Sequence, residues 1–98
     1  MNRFVLTEPA RRDLDQIKSF LLEEAGPTIA RRVLKDIRAA LKLLGKEPGA
    51  GHVREDLTSR PVKFWPIYSY LIIYDPKTRP IQILRILHGM RDVEEILN

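Results

Sequence analysis

Cysteine is absent from the sequence, and its 98 residues include only one tryptophan and two histidines. Without cysteine, these residues can form neither disulfide bonds nor thiolate sites. No apolar run is long enough to span a membrane, because the longest one, from Tyr70 to Tyr74, has the length of a strand. The first residues also lack the apolar centre of a signal peptide. We therefore expect a cytoplasmic protein without a membrane partner.

Metal sites and cofactors are not expected either. His52 lies in a segment with the composition of a loop, and His88 stands at the end of an apolar run. The sequence shows no paired histidine and aspartate at a spacing typical of metal ligands. A lone histidine at a strand end is more often held by a hydrogen bond than used in catalysis.

The chain does have an ordinary apolar content of 44% and a net charge of +4. This length and composition predict one folded domain covering residues 1–98. Six basic residues against one acidic residue fall between Arg31 and Lys46. On a helix, several of them share one side, which we call the basic stripe: Arg31, Lys35, Arg38 and Lys42. Such a stripe is compatible with an acidic partner, with nucleic acid, or with a solvated face.

The helical half of the chain is bounded by recognisable signals. A short strand is predicted around Phe4, and Thr7 can cap the helix that follows. Gly26-Pro27 should end that helix, and a second one is predicted from about Thr28 to Leu44. The apolar residues of the second helix are predicted to share one side: Ile29, Val33, Ile37, Ala40, Leu41 and Leu44. The two helices are expected to form a hairpin.

Strand signals dominate the C-terminal half. One strand is predicted at 62–65, interrupted by Pro66, a second at 67–74 and a third at 81–88. The third is apolar on both faces, so it should be central in the sheet. The predicted order is β-α-α-β-β-β with a short C-terminal helix, an α+β fold in which the hairpin covers one face of a mainly antiparallel sheet.

The stretch ILRILHGMRD contains three candidate functional side chains, Arg85, His88 and Arg91. Arg85 interrupts an apolar strand, and a buried guanidinium needs a partner, for instance Asp75 or Asp92. Strand alternation places Arg85 and His88 on opposite faces, which argues against a catalytic dyad. Arg91 follows the strand and could face an anion, although a surface arginine is more often only solvated.

Aromatic residues supply a second group of candidates. Trp65 precedes a proline where the sheet turns, and an exposed tryptophan there would anchor an interface. The alternating positions of the next strand place several side chains on one face: Tyr68, Tyr70, Ile72 and Tyr74. Stacking on nucleic acid is one use for such a face, but a role in the core or in a protein interface is favoured.

The segment RPVKFWPIYSYLIIYDPKTRPIQILRILHGMRD, residues 60–92, resembles the ParE branch of the RelE/ParE toxin superfamily. The matching features are YLIIY at 70–74, a short turn, and ILRILHGMRD at 83–92. The N-terminal pattern LTEPA at 6–10, which runs into a helix, also fits. The likeness extends over nearly the whole chain, and the predicted order of elements is also that of the family.

This resemblance implies the toxin of a type II toxin–antitoxin pair, with DNA gyrase as its target. The toxin would inhibit gyrase without chemistry of its own. A ParD-like, DNA-binding antitoxin would neutralise the toxin and connect it indirectly to operator DNA. Contacts with target or antitoxin are then expected at Trp65, Arg85, His88 and Arg91. The basic stripe would meet acidic antitoxin residues or DNA.

The RelE branch supplies the alternative, a ribosome-dependent mRNA endonuclease. Such toxins combine lysines and arginines with a C-terminal tyrosine, or use a glutamate and a histidine, because they must move protons and stabilise a phosphorane. Here Leu71 stands where the resemblance places an arginine, and Leu97 stands near the position of the tyrosine. A nuclease would have to use Arg60, Lys63, His88 and Arg91. This incomplete set favours the gyrase inhibitor, and a diverged, inactive member is a third hypothesis.

Overall fold

A computed structural model of the chain describes residues 4–89 and 93–97. Its mixed sheet has four strands in the order β1-β4-β3-β2, with β1 parallel to β4 and the other pairs antiparallel. The elements are β1 (Phe4–Leu6), α1 (Glu8–Lys46), a 3-10 turn (Pro48–Ala50), β2 (Lys63–Ile67), β3 (Tyr70–Asp75), β4 (Ile81–His88) and α2 (Val93–Leu97). The α+β class and the central position of β4 are confirmed. Among the described residues, no helix is both long and apolar enough to cross a membrane.

The start of α1 is fixed by Thr7, as predicted. The Thr7 hydroxyl accepts a hydrogen bond from the backbone N–H of Ala10 at 3.3 Å, which satisfies one of the free donors of the first turn. The single hydroxyl proton is shared between the carbonyl oxygens of Ile83 and Leu84, each 3.0 Å from the Thr7 oxygen. The first turn of α1 is therefore attached directly to β4.

Two separate helices were predicted, but the structure has one helical element, within which only Gly26 departs from helical geometry. Gly26 adopts a φ of 86°, which a residue without Cβ reaches at little cost, and Pro27 then begins the next turns. A straight helix of 39 residues would be about 58 Å long, whereas the longest dimension of the molecule is 36 Å. The two halves must therefore turn at Gly26.

The sheet is buried on both faces. The first cluster lies between α1 and the sheet and includes Ile37, Leu44, Ile72, Tyr74 and Ile83. A second cluster lies on the opposite face, where α2 contributes Val93 and Leu97. The predicted apolar side of the second half of α1 is correct except for Ile29, a residue that is 46% exposed. Ala30 and Leu34 are buried instead.

The boundaries predicted for the strands at 62–65 and 67–74 were wrong, since the structure has β2 at Lys63–Ile67 and β3 at Tyr70–Asp75. Pro66 can lie inside β2 because β2 is an edge strand. On the outer side of such a strand, a backbone N–H makes no hydrogen bond to a neighbouring strand, so its absence costs nothing. The hairpin turn is formed by Tyr68 and Ser69, and Tyr68 has a φ of 54°. Tyr68 is thus a turn residue whose hydroxyl donates to Asp36, while Tyr70 begins β3.

An irregularity in β4 changes the faces that its side chains occupy. Ile73 of β3 pairs with Arg85, but the next residue, Tyr74, pairs with Ile83, so Leu84 is an extra residue in β4. Such a bulge interrupts the simple alternation of side chains along a strand. From Arg85 to His88 the pairing with β3 is regular, so the predicted alternation holds there. Both side chains nevertheless line one cavity, because Arg85 is bonded to Asp13 of α1.

Tyr74 holds the loop after α1 against the sheet. Its hydroxyl accepts a hydrogen bond from the backbone N–H of Gly51 at 2.9 Å and donates to the carbonyl oxygen of Pro48 at 2.7 Å. The side chain is fully buried, and burial raises the pKa of the Tyr74 hydroxyl, against a smaller lowering by the Gly51 N–H. The loop depends on a protonated tyrosine.

Tyr74→Phe is expected to lower the free energy of unfolding by about 1–2 kcal/mol, because the Gly51 N–H and the Pro48 carbonyl lose their buried partner. The original chain should also lose stability as pH rises above about 10, since the unfolded tyrosine releases its proton before the folded one does. This loss should be smaller in Tyr74→Phe, though not absent, because the pKa of Tyr70 is also raised by burial. Urea unfolding at pH 8 and pH 10.5 tests both expectations, and equal losses in the two proteins would contradict the second.

Candidate functional site

Asp13 joins α1 to β4 at the bulge. Its carboxylate accepts two hydrogen bonds from Arg85, from Nε at 2.7 Å and from Nη2 at 2.8 Å. It accepts a third from the backbone N–H of Ile86 at 2.9 Å. The side chain of Asp13 is 9% exposed and that of Arg85 is 27% exposed. This is a bidentate, largely buried ion pair, the geometry that gives carboxylate–guanidinium contacts their strength and orientation.

Among the described residues, the partner of Arg85 is Asp13 and not Asp75. Asp92, the other partner that the sequence suggested, lies outside the described residues. The hydrogen bonds to Asp13 raise the pKa of Arg85, against an opposing effect of burial. Asp13 was missed because it is distant in sequence from β4. A signal did exist, since Asp13 is an acidic residue on the same helix face as the buried Ala10 and Ile17.

A cavity of about 320 Å³ opens beside this ion pair, at the end of β4. Its lining includes Ile17, Phe20, Tyr70, Arg85 and His88. The His88 ring is exposed and lies 5.2 Å from the Tyr70 ring and 6.3 Å from the Phe20 ring, measured between centroids. The cavity is therefore bordered by aromatic rings and has one neutralised charge pair in its wall.

Two candidates of the C-terminal half remain, Trp65 and Arg91. Arg91 lies outside the described residues. Trp65 is half-buried on β2, packs against the cluster between α1 and the sheet, and stacks on His52 with ring centroids 6.3 Å apart. It is thus less exposed than an interface anchor at a turn would be. Within the described residues, no group of three histidine, aspartate or glutamate side chains could hold a metal ion.

The basic stripe borders a groove between the two halves of α1. All four of its side chains are exposed, and all line a groove of about 620 Å³ together with Lys18 from the first half. The rest of the lining is apolar: Leu22, Pro27, Ala30, Leu34 and Ala39. The structure thus combines the exposed charges of the stripe with an apolar floor, which the sequence did not predict.

The described residues thus form a small mixed-sheet protein with a long helical element, a cationic groove and a separate aromatic cavity. Comparison with known proteins identifies this class as the toxins of type II toxin–antitoxin systems. A family model described as "ParE toxin of type II toxin-antitoxin system, parDE" matches residues 4–93, and the chain belongs to this family.

A solved structure supports the same identification. The structure described as "Chromosomal ParDE TA system from P. aeruginosa" superposes with a TM-score of 0.74 and 26% sequence identity. The match covers 91% of this chain and 97% of the other. A search of curated proteins found no match.

Proposed function

We propose that this ParE-family protein inhibits DNA gyrase and is neutralised by a cognate antitoxin. The observation that carries the proposal is the family match over residues 4–93. Gyrase inhibition is the activity expected of this branch, and the similar P. aeruginosa structure comes from a ParDE toxin–antitoxin system. The antitoxin would be ParD-like and DNA-binding, so operator DNA would be reached through it. The proposed site of action is the cytoplasm.

The contacts of three cations favour an inhibitor over a ribonuclease. Arg85 is engaged by Asp13, Arg60 donates to the carbonyl oxygen of Leu97 at 3.2 Å, and Lys63 lies 3.4 Å from the carbonyl oxygen of Gly51. A metal-free ribonuclease needs such groups directed at a phosphate. Each of these side chains has a structural partner instead.

The positions of Lys63 and His88 along the sheet also favour an inhibitor over a ribonuclease. Lys63 pairs with Tyr74 at one end of β3, whereas His88 pairs with Tyr70 at the other. The two ends are four residues apart, or about 13 Å at the rise of a strand. Lys63 and His88 therefore start from opposite ends of the sheet, which argues against joint action on one scissile phosphate.

For the antitoxin, we propose the groove bordered by the basic stripe. An apolar floor with cations along its edge suits an amphipathic helix whose flanks carry acidic residues. Such a helix would bury its apolar side against Leu22, Ala30 and Leu34. Its carboxylates would then lie within reach of the stripe, and the charges would determine association rate and specificity more than affinity.

The proposed activity is tested by adding the purified protein to a gyrase supercoiling assay and, in parallel, to a translation extract whose mRNA is examined by primer extension. Inhibited supercoiling with intact mRNA is the expected result. New mRNA ends with unaffected gyrase would contradict the proposal and favour the RelE-type alternative. A protein that has no effect in either assay but still binds its antitoxin would indicate the diverged, inactive member.

Charge reversal tests the antitoxin groove. The double variant Lys35→Glu/Arg38→Glu should bind the antitoxin at least tenfold more weakly than the original chain, because two favourable charge contacts become repulsive. The weakening should diminish at high salt, where exposed charges are screened. The matched control is Lys77→Glu in the exposed β3–β4 turn, for which no change is expected. The affinities for the antitoxin are measured by titration calorimetry. Equal affinities of the double variant and the control would contradict the proposal that the antitoxin binds in this groove.

A further inference from the structure

The outer edge of β4 is covered along only part of its length. β1 pairs with Ile81–Ile83 and ends there. Thr7 continues the coverage, since its backbone N–H donates to the carbonyl oxygen of Ile83 at 3.1 Å. The Asp13 carboxylate then occupies the N–H of Ile86. Beyond that point, the edge has no covering strand within the described residues.

Backbone geometry shows which groups face outward there. The N–H of Gly89 donates to the carbonyl oxygen of Ser69, so Gly89 faces β3. Ladder bonds alternate in antiparallel pairs, so Leu87 also faces β3, whereas Ile86 and His88 direct their backbone groups to the outer edge. The carbonyl of Ile86 and the N–H of His88 have no partner among the described residues. Unpaired edge groups of this kind are a template for another strand.

The cavity beside this edge indicates what such a strand would carry. The side chain of Phe20 is 51% exposed at the rim, which is unusual for a residue that a folded chain could bury. The cavity wall contains one ion pair, in which the charges of Asp13 and Arg85 neutralise each other. The cavity therefore suits an uncharged, apolar side chain held between Ile17, Phe20 and Tyr70, and not the acidic partner that suits the basic stripe.

We infer that the outer edge of β4, from Ile86 to His88, binds an extended segment of the target protein by strand addition. The added strand lies in line with β1, accepts from the His88 N–H, donates to the Ile86 carbonyl and inserts one apolar side chain into the aromatic cavity. This inference rests on the proposed function for the existence of a target. The groove is bordered by exposed cations, whereas Asp13 and Arg85 in the cavity wall are paired with each other. The edge therefore suits an apolar segment and not the acidic flanks proposed for the antitoxin helix.

The experiment compares His88→Pro with His88→Ala. Both variants lose the imidazole, but only proline also removes the backbone N–H, at an edge position where no internal hydrogen bond depends on it. We expect His88→Pro to need at least tenfold more protein than His88→Ala for half-maximal inhibition of gyrase. Growth arrest on expression in cells is a second measurement, and it does not depend on gyrase being the target. We expect His88→Pro to arrest growth more weakly than His88→Ala. Antitoxin binding by both variants should be equal and serves as the control for folding.

A second pair of variants does not depend on the backbone. Phe20→Ala should weaken gyrase inhibition and growth arrest about tenfold, whereas Ile29→Ala, an apolar residue of similar exposure outside the cavity, should change neither. Equal activity within both pairs would overturn the inference. Loss of antitoxin binding with full gyrase inhibition would also overturn it, because the edge would then serve the antitoxin. If the original chain arrests growth but spares gyrase, the proposed function fails, and the growth-arrest order of the variants still decides the inference.

Discussion

Asp13→Ala should lower the free energy of unfolding by about 3 kcal/mol. The substitution leaves the Arg85 guanidinium without its carboxylate and the Ile86 N–H without its acceptor. Removing one partner of a buried ion pair is far more damaging than removing both, because the remaining charge is left poorly solvated. Partial exposure of Arg85 to water keeps the effect at the lower end of the usual range. Denaturant unfolding followed by circular dichroism measures the change.

Two further variants separate the ion pair from other consequences of changing this helix. Asp15→Ala removes an exposed carboxylate two residues further along α1 and should change the free energy of unfolding by less than about 0.5 kcal/mol. The double variant Asp13→Leu/Arg85→Met should be more stable than Asp13→Ala, since it leaves no unpaired charge. An Asp13→Ala protein as stable as Asp15→Ala would show that the pair contributes little to the fold.

Gly51→Ala is the second substitution with a large expected effect, also about 3 kcal/mol of lost stability. A Cβ atom at this position would lie 2.5 Å from the Tyr74 Oη, 2.8 Å from the Tyr74 Cε1 and 3.0 Å from the carbonyl oxygen of Phe64. Tyr74 is fully buried and cannot withdraw, and the Phe64 carbonyl is held by the N–H of His52. The added methyl group must therefore displace either the sheet or the loop.

Gly49→Ala is the matched control, because a Cβ there meets no atom within 4 Å. Its stability should lie within about 0.5 kcal/mol of the original. Adding Tyr74→Phe to Gly51→Ala should recover part of the loss, since the nearest clashing atom is the tyrosine oxygen. If Gly51→Ala and Gly49→Ala unfold at the same denaturant concentration, the close approach at Gly51 is not a constraint on this fold.

Local sequence signals were sufficient where the physics is local. Thr7 was recognised as a helix cap from its hydroxyl and its neighbours, and it does accept from Ala10. The apolar character of both faces of β4 predicted its central position correctly. Gly26 was recognised as a break, although the structure retains helical geometry on both sides of it and does not insert a loop.

Features that depend on distant residues could not be predicted in this way. Whether Pro66 interrupts a strand depends on its being at the sheet edge, which is decided by pairing and not by the proline itself. The bulge at Leu84 exists only in relation to β3, so the sequence of β4 alone could not predict it. Asp13 and Arg85 are separated by 72 residues, so only the folded chain brings them together.

For the candidate sites, sequence reasoning identified side chains but not their surroundings. The basic stripe was found from helical periodicity, whereas the apolar floor beside it depends on the turn at Gly26. His88 was identified from its place after the strand, whereas the aromatic cavity also requires Phe20 from α1. The family resemblance in the C-terminal motif is confirmed by the match over residues 4–93. The contacts with target and antitoxin remain predictions.

The most direct test of gyrase inhibition is the accumulation of cleaved DNA. Purified gyrase, plasmid DNA and ATP are incubated with increasing amounts of the protein, and detergent and protease then release any cleaved product. We predict linear DNA that increases with the amount of protein, requires gyrase and disappears when the cognate antitoxin is added first. Undiminished supercoiling without linear DNA, from protein that still binds the antitoxin, would contradict gyrase inhibition.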